Sequence, residues 1–328
     1  MLEENLGHGA VHTDDPRDLI YEHHVGGFSP FDWNAGFDIE KHLNFVLPIK
    51  NQMSSESCVG QNWSYKFAIN NLVNGGTYDE ISAKAIYSQI FLPGGGADIR
   101  QGGLLSTKFG ELLESIVASH KADGSVDEPF MEDTSWITPQ LITMAKNLQT
   151  QSVAIVNSTD MDTWACAIRD NNGIVAGVTG TNNGTWNSLE PTPPTDATPR
   201  NSLWGHCLYF GKAGVDSKGK YISTPNSWGS RGKDDLHPDG WQKLRQSWFD
   251  ENGKWLFNAW TLINKVNKPM GAKLLKDSKT PACGFWVPAA NEAELINQAN
   301  AIGYTLPLNI IGNIDWSKVK LDGNATIK

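Results

Sequence analysis

The chain has 328 residues, and its 27 Lys and Arg against 36 Asp and Glu give a formal net charge of -9. This acidic balance, without any basic run, argues against nucleic acid or an anionic membrane as the main partner. At about 150 residues per domain, the length predicts two cooperating lobes or one large domain. Thirteen Trp and 32 Gly favour a loop-rich protein with aromatic packing over a helical bundle.

The N-terminal segment has neither a positively charged start nor an apolar core, so no signal peptide is predicted. No stretch reaches the ~18 consecutive apolar residues of a membrane span. Cys58, Cys166, Cys207 and Cys283 lie far apart without a Cys-x-x-Cys pair, which argues against a zinc site and a dense disulfide scaffold. A disulfide among the last three stays open. We expect a cytoplasmic or virion-associated protein in a reducing setting.

The first 45 residues are polar and are predicted to form an extended arm on the body, anchored by Phe31 and Trp33. Apolar residues then recur at helical spacing from Cys58 to Val73, which predicts a helix with a buried face. Further helices are expected over 79–91 and over 104–119, the latter opened by Gly102-Gly103.

The second half changes to short β-rich runs between turn signals. The predicted strands cover residues 152–156, 173–178, 207–210 and 220–223. One helix is expected over 161–168, and a surface loop near the site over 179–200. Helices followed by strands predict an α+β protein with a helical lobe and a β-rich lobe.

Three segments are therefore predicted along the chain: an N-terminal arm over 1–45, a main domain over 46–266 and a C-terminal appendage over 267–328. A short helix over 291–301 is expected in the appendage. Composition leaves open whether the appendage packs on the body or contacts an assembly partner.

Cys58 is the candidate nucleophile, because it begins a predicted helix and follows Gln52 by six residues. Unpaired N–H groups and the helix dipole at a helix start favour thiolate over thiol. The Cys58 N–H and the Gln52 side-chain amide could together bind an oxygen that becomes negative during acyl transfer. The segment thus predicts a nucleophile and an oxyanion hole.

His206 and Asn226 are the candidate partners of that nucleophile. A nucleophilic cysteine needs a base that takes its proton, and the base needs a group that fixes its tautomer. His206 stands at the head of an apolar strand, and Asn226 follows the strand over 220–223. Trp228 could cover the contact between them from water, while Trp204 either packs in the core or lines the substrate cleft. Strand alternation turns Cys207 to the opposite face, towards packing.

These blocks resemble those of the papain-like cysteine proteases. The spacing from Gln52 to Cys58 is similar to the spacing from the family's oxyanion glutamine to its nucleophile. Gly205-His206-Cys207 resembles the segment that carries the family's catalytic histidine. Asn226-Ser-Trp-Gly and the later Gly240-Trp resemble the family's asparagine block and the strand after it. The order agrees, and the resemblance spans about residues 30 to 260.

The resemblance implies a papain-like two-lobe fold and a cysteine-type endopeptidase that hydrolyses a peptide or protein substrate. It implies a Cys58-His206-Asn226 triad with Gln52 in the oxyanion hole, and neither a metal nor an organic cofactor. Gly102-Gly103 resembles the glycine pair that hydrogen-bonds extended substrate.

Two residues depart from the family pattern. Val59 stands where the family has Trp, as in bacterial and phage relatives, and Ser55 stands where it has a disulfide cysteine. About fifty residues precede Gln52, so no long helical propeptide is expected. Any restraint on activity would fall to the short arm, the appendage or an assembly.

Two other functions stay open. The fold could serve as a structural or docking component, for example of a phage particle, with residues 267–328 as the docking element. The same thiol chemistry could also perform amide transfer or deamidation.

Overall fold

The computed structural model describes residues 9–24, 29–74, 78–149, 152–156, 160–229 and 240–263, and three strands beyond residue 272. Chain contacts divide the protein into two units, Met1–Ile263 and Asn264–Lys328. Among the described residues, no helix combines the length and the apolar character that crossing a bilayer requires.

The main helices of the described residues are α1 (Tyr21–His24), α2 (Ile39–Leu43), α3 (Cys58–Val73), α4 (Ala83–Tyr87), α5 (Ile99–Lys108), α6 (Glu128–Glu132), α7 (Pro139–Ala145) and α8 (Met161–Asp170). The strands are β1 (Ala10–Val11), β2 (Phe37–Asp38), β3 (Ala97–Asp98), β4 (Ser152–Val156), β5 (Ile174–Thr181), β6 (Leu203–Phe210), β7 (Lys212–Asp216), β8 (Gly219–Pro225), β9 (Trp241–Arg245), β10 (Ala259–Ile263), β11 (Lys273–Asp277), β12 (Gly284–Val287) and β13 (Leu308–Ile311). Helices dominate the first half and strands the second, so the predicted α+β class is confirmed.

Helix α3 is the central helix of the first unit. Every residue from Cys58 to Ile69 is buried, so the helix has no exposed face over its first three turns. Polar residues on such a helix need partners inside the protein. Ser64 Oγ donates to the carbonyl of Gln61, and Lys66 Nζ donates to the carbonyls of Asn171 and Asn172.

Lys66 should make the stability of the protein depend on pH. Burial lowers the pKa of Lys66 from 10.5 to about 7, so between these values the folded chain binds fewer protons than the unfolded chain. The contribution of Lys66 to the free energy of unfolding therefore increases as the pH rises through this window. Lys66→Met lacks this contribution. We therefore expect the free energy of unfolding of the parent to rise relative to that of the variant by roughly 2 to 4 kcal/mol between pH 7 and pH 10.

Urea unfolding at several pH values measures this difference. Lys218→Met, which changes an exposed side chain, is the control. A gap between the parent and Lys66→Met that is the same at pH 7 and pH 10 would contradict the prediction.

Two four-stranded sheets form the β-rich part of the first unit, in the orders β4-β10-β5-β6 and β2-β7-β8-β9. All their pairings are antiparallel. Gly211 joins β6 to β7 and donates its N–H to the carbonyl of Ser223 on β8. The chain thus passes directly from the first sheet, which contains His206, to the second sheet. Asn226 is the residue after β8 of that second sheet.

The third predicted helix differs in its bounds. Helix α5 begins at Ile99 instead of residue 104, because Asp98 caps it by accepting from the N–H of Arg100. It ends at Lys108 instead of residue 119, and Gly110 follows in the left-handed region with φ of 92°. Glycine tolerates that conformation, which commonly ends a helix.

The second unit contains the antiparallel strands β11, β12 and β13, with β11 in the centre. The sequence did not predict this sheet. The predicted helix over 291–301 and Cys283 lie outside the described residues.

Candidate active site

Cys58 is the first residue of α3 and is fully buried. Burial raises the pKa of its thiol to about 12, while the backbone N–H groups of Cys207 and Val59 act in the opposite direction. Charges on Glu56 and Glu128 raise it further. The lowering of the thiol pKa expected at the helix start is therefore opposed by burial of the thiol.

His206 lies on β6 and is fully buried. Its Nε2 is 2.9 Å from Oδ1 of Asn226, so the structure brings these two candidate residues into contact. The Trp228 indole stacks on the imidazole, with ring centroids 4.4 Å apart and planes at 22°. This ring therefore covers one face of the histidine.

Asn62 connects α3, which begins with Cys58, to β6, which carries His206. Its Nδ2 donates to the carbonyls of Cys58 at 2.9 Å and Cys207 at 2.8 Å. Its Oδ1 accepts from the N–H of Tyr209 at 2.7 Å. The bonds to Cys207 and Tyr209 hold the backbone of β6 on both sides of one residue. The available sequence signal was a polar residue four positions after Cys58, on the same helix face.

Gln52 is buried beside Asn226. The segment before the nucleophile pairs with the segment after the asparagine, through a bond from the Gln52 N–H to the Ser227 carbonyl at 2.8 Å. Ser227 Oγ donates to Gln52 Oε1 at 2.7 Å, and Gln52 Nε2 donates to the Ser55 carbonyl at 2.9 Å. These bonds turn the amide NH2 group, which has two hydrogens, towards the nucleophile segment.

Three tryptophans, Trp186, Trp204 and Trp228, contact the histidine ring. Trp186 and Trp204 each meet the His206 ring edge to face at 6.2 Å between centroids. Trp186 also contacts Trp228 at 5.6 Å and Trp248 at 5.7 Å. The loop over 179–200 was predicted to be a surface loop, but its Trp186 is fully buried. A tryptophan in an otherwise polar loop was the available signal.

Trp204 is partly buried, and its Nε1 donates to Oδ1 of Asn182 at 2.7 Å. Its cross-strand neighbour is Gly180, where a Cβ would lie 2.1 Å from the indole. Glycine thus leaves room for the ring to lie across β5.

Gly102 and Gly103 lie elsewhere than predicted. They stand inside α5, not before a helix, and a Cβ on either would lie 2.3 to 2.6 Å from the Trp63 ring. Backbone groups inside a helix bond to their own helix and cannot pair with extended substrate. Close packing on Trp63 accounts for both glycines, which corrects the interpretation as a substrate-binding pair.

Within the predicted N-terminal arm over 1–45, the segment Gly9–Asp18 is called the arm. It begins between β3 and the start of β6, and the space between these two strands is called the cleft. The Gly9 N–H donates to the carbonyl of Gly205, the residue before His206, at 2.9 Å. The Gly9 carbonyl accepts from the N–H of Ala97 at 2.7 Å, and β1 pairs with β3 in parallel. The arm therefore uses backbone groups on both walls of the cleft.

Charge holds the far end of the arm. Arg100, in the first turn of α5, donates to Asp18 at 2.6 to 2.8 Å and to Asp15 at 3.1 Å. The side chains of all three are 8 to 14% exposed. Such shielded pairs resist exchange with water better than surface pairs.

Comparison of the structure with known proteins gives cysteine proteases. Xylellain, a cysteine protease from Xylella fastidiosa, aligns with a TM-score of 0.61 at 17% identity over 79% of this chain and 97% of its own. Procathepsin B S9 from Trypanosoma congolense aligns with 0.57 at 12% identity over 80% and 86%. Digestive procathepsin L 3 from Tenebrio molitor larval midgut aligns with 0.54 at 14% identity over 75% of each chain.

No protein-family model and no curated protein matches the chain by sequence. The likeness therefore concerns three-dimensional structure at low identity. The α+β fold of this chain is papain-like.

Proposed function

We propose that this protein is a cysteine-type endopeptidase with Cys58 as nucleophile. The observation that carries the proposal is the bond of 2.9 Å between His206 Nε2 and Asn226 Oδ1, on the strand whose Cys207 N–H faces the Cys58 sulfur. A buried thiol, an oriented imidazole and an amide are the groups that acyl transfer requires. The papain-like fold adds support.

The reaction starts with transfer of the Cys58 proton to the imidazole. The Cys58 sulfur bonds to the carbonyl carbon of the scissile peptide, and the carbonyl oxygen gains negative charge. Gln52 Nε2 and the Cys58 N–H stabilise that oxygen. His206 then gives its proton to the departing amine, which leaves an acyl thioester.

Hydrolysis of the thioester completes the cycle. His206 takes a proton from water, the water oxygen bonds to the acyl carbon, and the sulfur leaves and regains its proton. Burial raises the pKa of the Cys58 thiol, so the thiolate forms through transfer of the proton to His206. The stacked Trp228 keeps water away from the pair that moves the proton.

The arm is the natural restraint on this activity. It engages the Gly205 carbonyl and the Ala97 N–H, which are backbone groups on opposite walls of the cleft. An extended substrate would need the same kind of groups. Substrate and arm therefore compete, and the arm must leave before a peptide enters.

A peptide-library digestion with mass-spectrometric readout tests the proposed function. The protein is incubated with the library alone, after treatment with a thiol-directed epoxide, and with an added amine acceptor. We expect internal cleavages that the epoxide abolishes, with its label on Cys58, whose proton His206 takes in the proposed reaction, and not on Cys166 or Cys207, although all three are buried. Products joined to the amine would instead indicate amide transfer, and no thiol-dependent product of either kind would contradict the proposal.

A further inference from the structure

Beyond the triad, a buried glutamine joins Asn226 to the loop that carries Trp186. Asn226 Nδ2 donates to Oε1 of Gln242 on β9 at 2.7 Å. Gln242 Nε2 donates to the carbonyls of Trp186 and Ser188, each at 2.9 Å. Gln242 is 2% exposed. His206, Asn226 and Gln242 thus form a chain of side chains that ends on two backbone carbonyls.

The two carbonyls give this chain a fixed direction. A backbone carbonyl can only accept, so the NH2 end of Gln242 must face Trp186 and Ser188. Its oxygen then faces Asn226 and takes a hydrogen from the Asn226 NH2 group. The Asn226 oxygen is left to face His206 Nε2, which must carry the proton in the neutral ring.

The direction matters because an amide has nearly the same shape when its oxygen and nitrogen are exchanged. A reversed Asn226 would present N–H groups to His206 Nε2 and favour the tautomer with the proton on Nδ1. An Nδ1 that already carries a proton cannot take one from a thiol. A wrong tautomer with intact geometry is known to disable catalytic histidines.

We propose that Gln242 is a positioning residue that holds Asn226 in the orientation keeping Nδ1 of His206 basic. The proposal rests on the proposed function in treating His206 as the base. The segment that carries Trp186 and Ser188 is also bound to β9 through the backbone, since the Lys243 N–H donates to the Leu189 carbonyl at 2.8 Å. The loop over 179–200 therefore contributes to the site through two carbonyls as well as through the Trp186 ring.

The first test measures the tautomer directly, without requiring activity. Nitrogen-15 chemical shifts of labelled His206 are recorded in the Cys58→Ala protein, alone and with Gln242→Met or Gln242→Leu. We expect the proton on Nε2 in the parent and a mixture of tautomers after either Gln242 change.

Leu244→Met is the matched control, because Leu244 is equally buried two residues along the same strand. It should leave the tautomer unchanged. A His206 ring that keeps the proton on Nε2 in a folded Gln242→Met or Gln242→Leu protein would overturn the proposal. The result stands whether or not the protein hydrolyses peptides, so the two proposals can fail separately.

The second test is kinetic. Gln242→Met should lower kcat by about 10- to 100-fold with little change in KM, because the chemical step is affected more than binding. In an Asn226→Asp background either carboxylate oxygen can accept from Nε2. Gln242→Met should therefore lower kcat by less than about threefold in that background. An equal loss in both backgrounds would show a merely structural role and overturn the proposal.

Discussion

Cys58→Ala should lower thiol-dependent peptide hydrolysis by at least about 10⁴-fold, because it removes the only atom that forms the acyl bond in the proposed reaction. The folded structure should survive. Alanine is a good helix former and fills most of the volume of the buried cysteine. Hydrolysis rate and circular dichroism of the same preparation measure these two expectations.

Cys166→Ala is the matched control. Cys166 is a buried free cysteine on α8, and its thiol faces the Ser29 carbonyl at 3.6 Å. It should keep full activity and full labelling of Cys58. A Cys58→Ala protein that cleaves peptides at the parent rate would exclude Cys58 as nucleophile, whereas loss of activity in Cys166→Ala alone would point to another site.

Arg100→Met should raise both peptide hydrolysis and alkylation of Cys58 by about tenfold or more. Arg100 pairs with Asp15 and Asp18 while its side chain is 13% exposed, and removing it takes this ion pair from the shielded Asp18 and leaves Asp15 paired with the exposed Arg17. Loss of the Arg100–Asp18 pair removes a link between the arm and α5, which shifts the arm towards leaving the cleft. Initial rates with excess peptide and with a limiting thiol reagent measure the release.

Arg17→Met separates release of the arm from a general change of charge. Arg17 also pairs with Asp15, but it belongs to the arm itself and its side chain is 85% exposed. It removes the same charge without detaching the arm from α5, and we expect rates close to the parent. Equal rates for Arg100→Met and the parent would mean that the arm does not compete with substrate.

Sequence patterns located α3, α8 and several strands of the first unit, and they predicted both ends of two elements correctly. Strand β4 has its predicted bounds, and α3 begins and ends at the predicted residues. Helix α5 was misplaced because the Gly102-Gly103 pair was interpreted as a turn, whereas both glycines accommodate Trp63. A glycine required by packing and one required by a turn look the same in a sequence.

The sequence by itself determined the residues of the candidate site. Gln52, Cys58, His206 and Asn226 are recognisable because each stands in a short motif whose order along the chain is distinctive. It also determined that the β-rich lobe follows the helical one, since apolar periodicity is a local property.

Only the tertiary structure decided what holds that site. Asn62 bonds to Tyr209 across 147 positions, and Gln242 bonds to Trp186 across 56. The arm reaches the cleft by pairing with Gly205 and Ala97. These contacts depend on where distant backbone carbonyls and N–H groups come to lie, and no local spacing encodes such positions. Burial likewise raises the pKa of the Cys58 thiol, because desolvation is set by everything packed around the thiol and not by its place at a helix start.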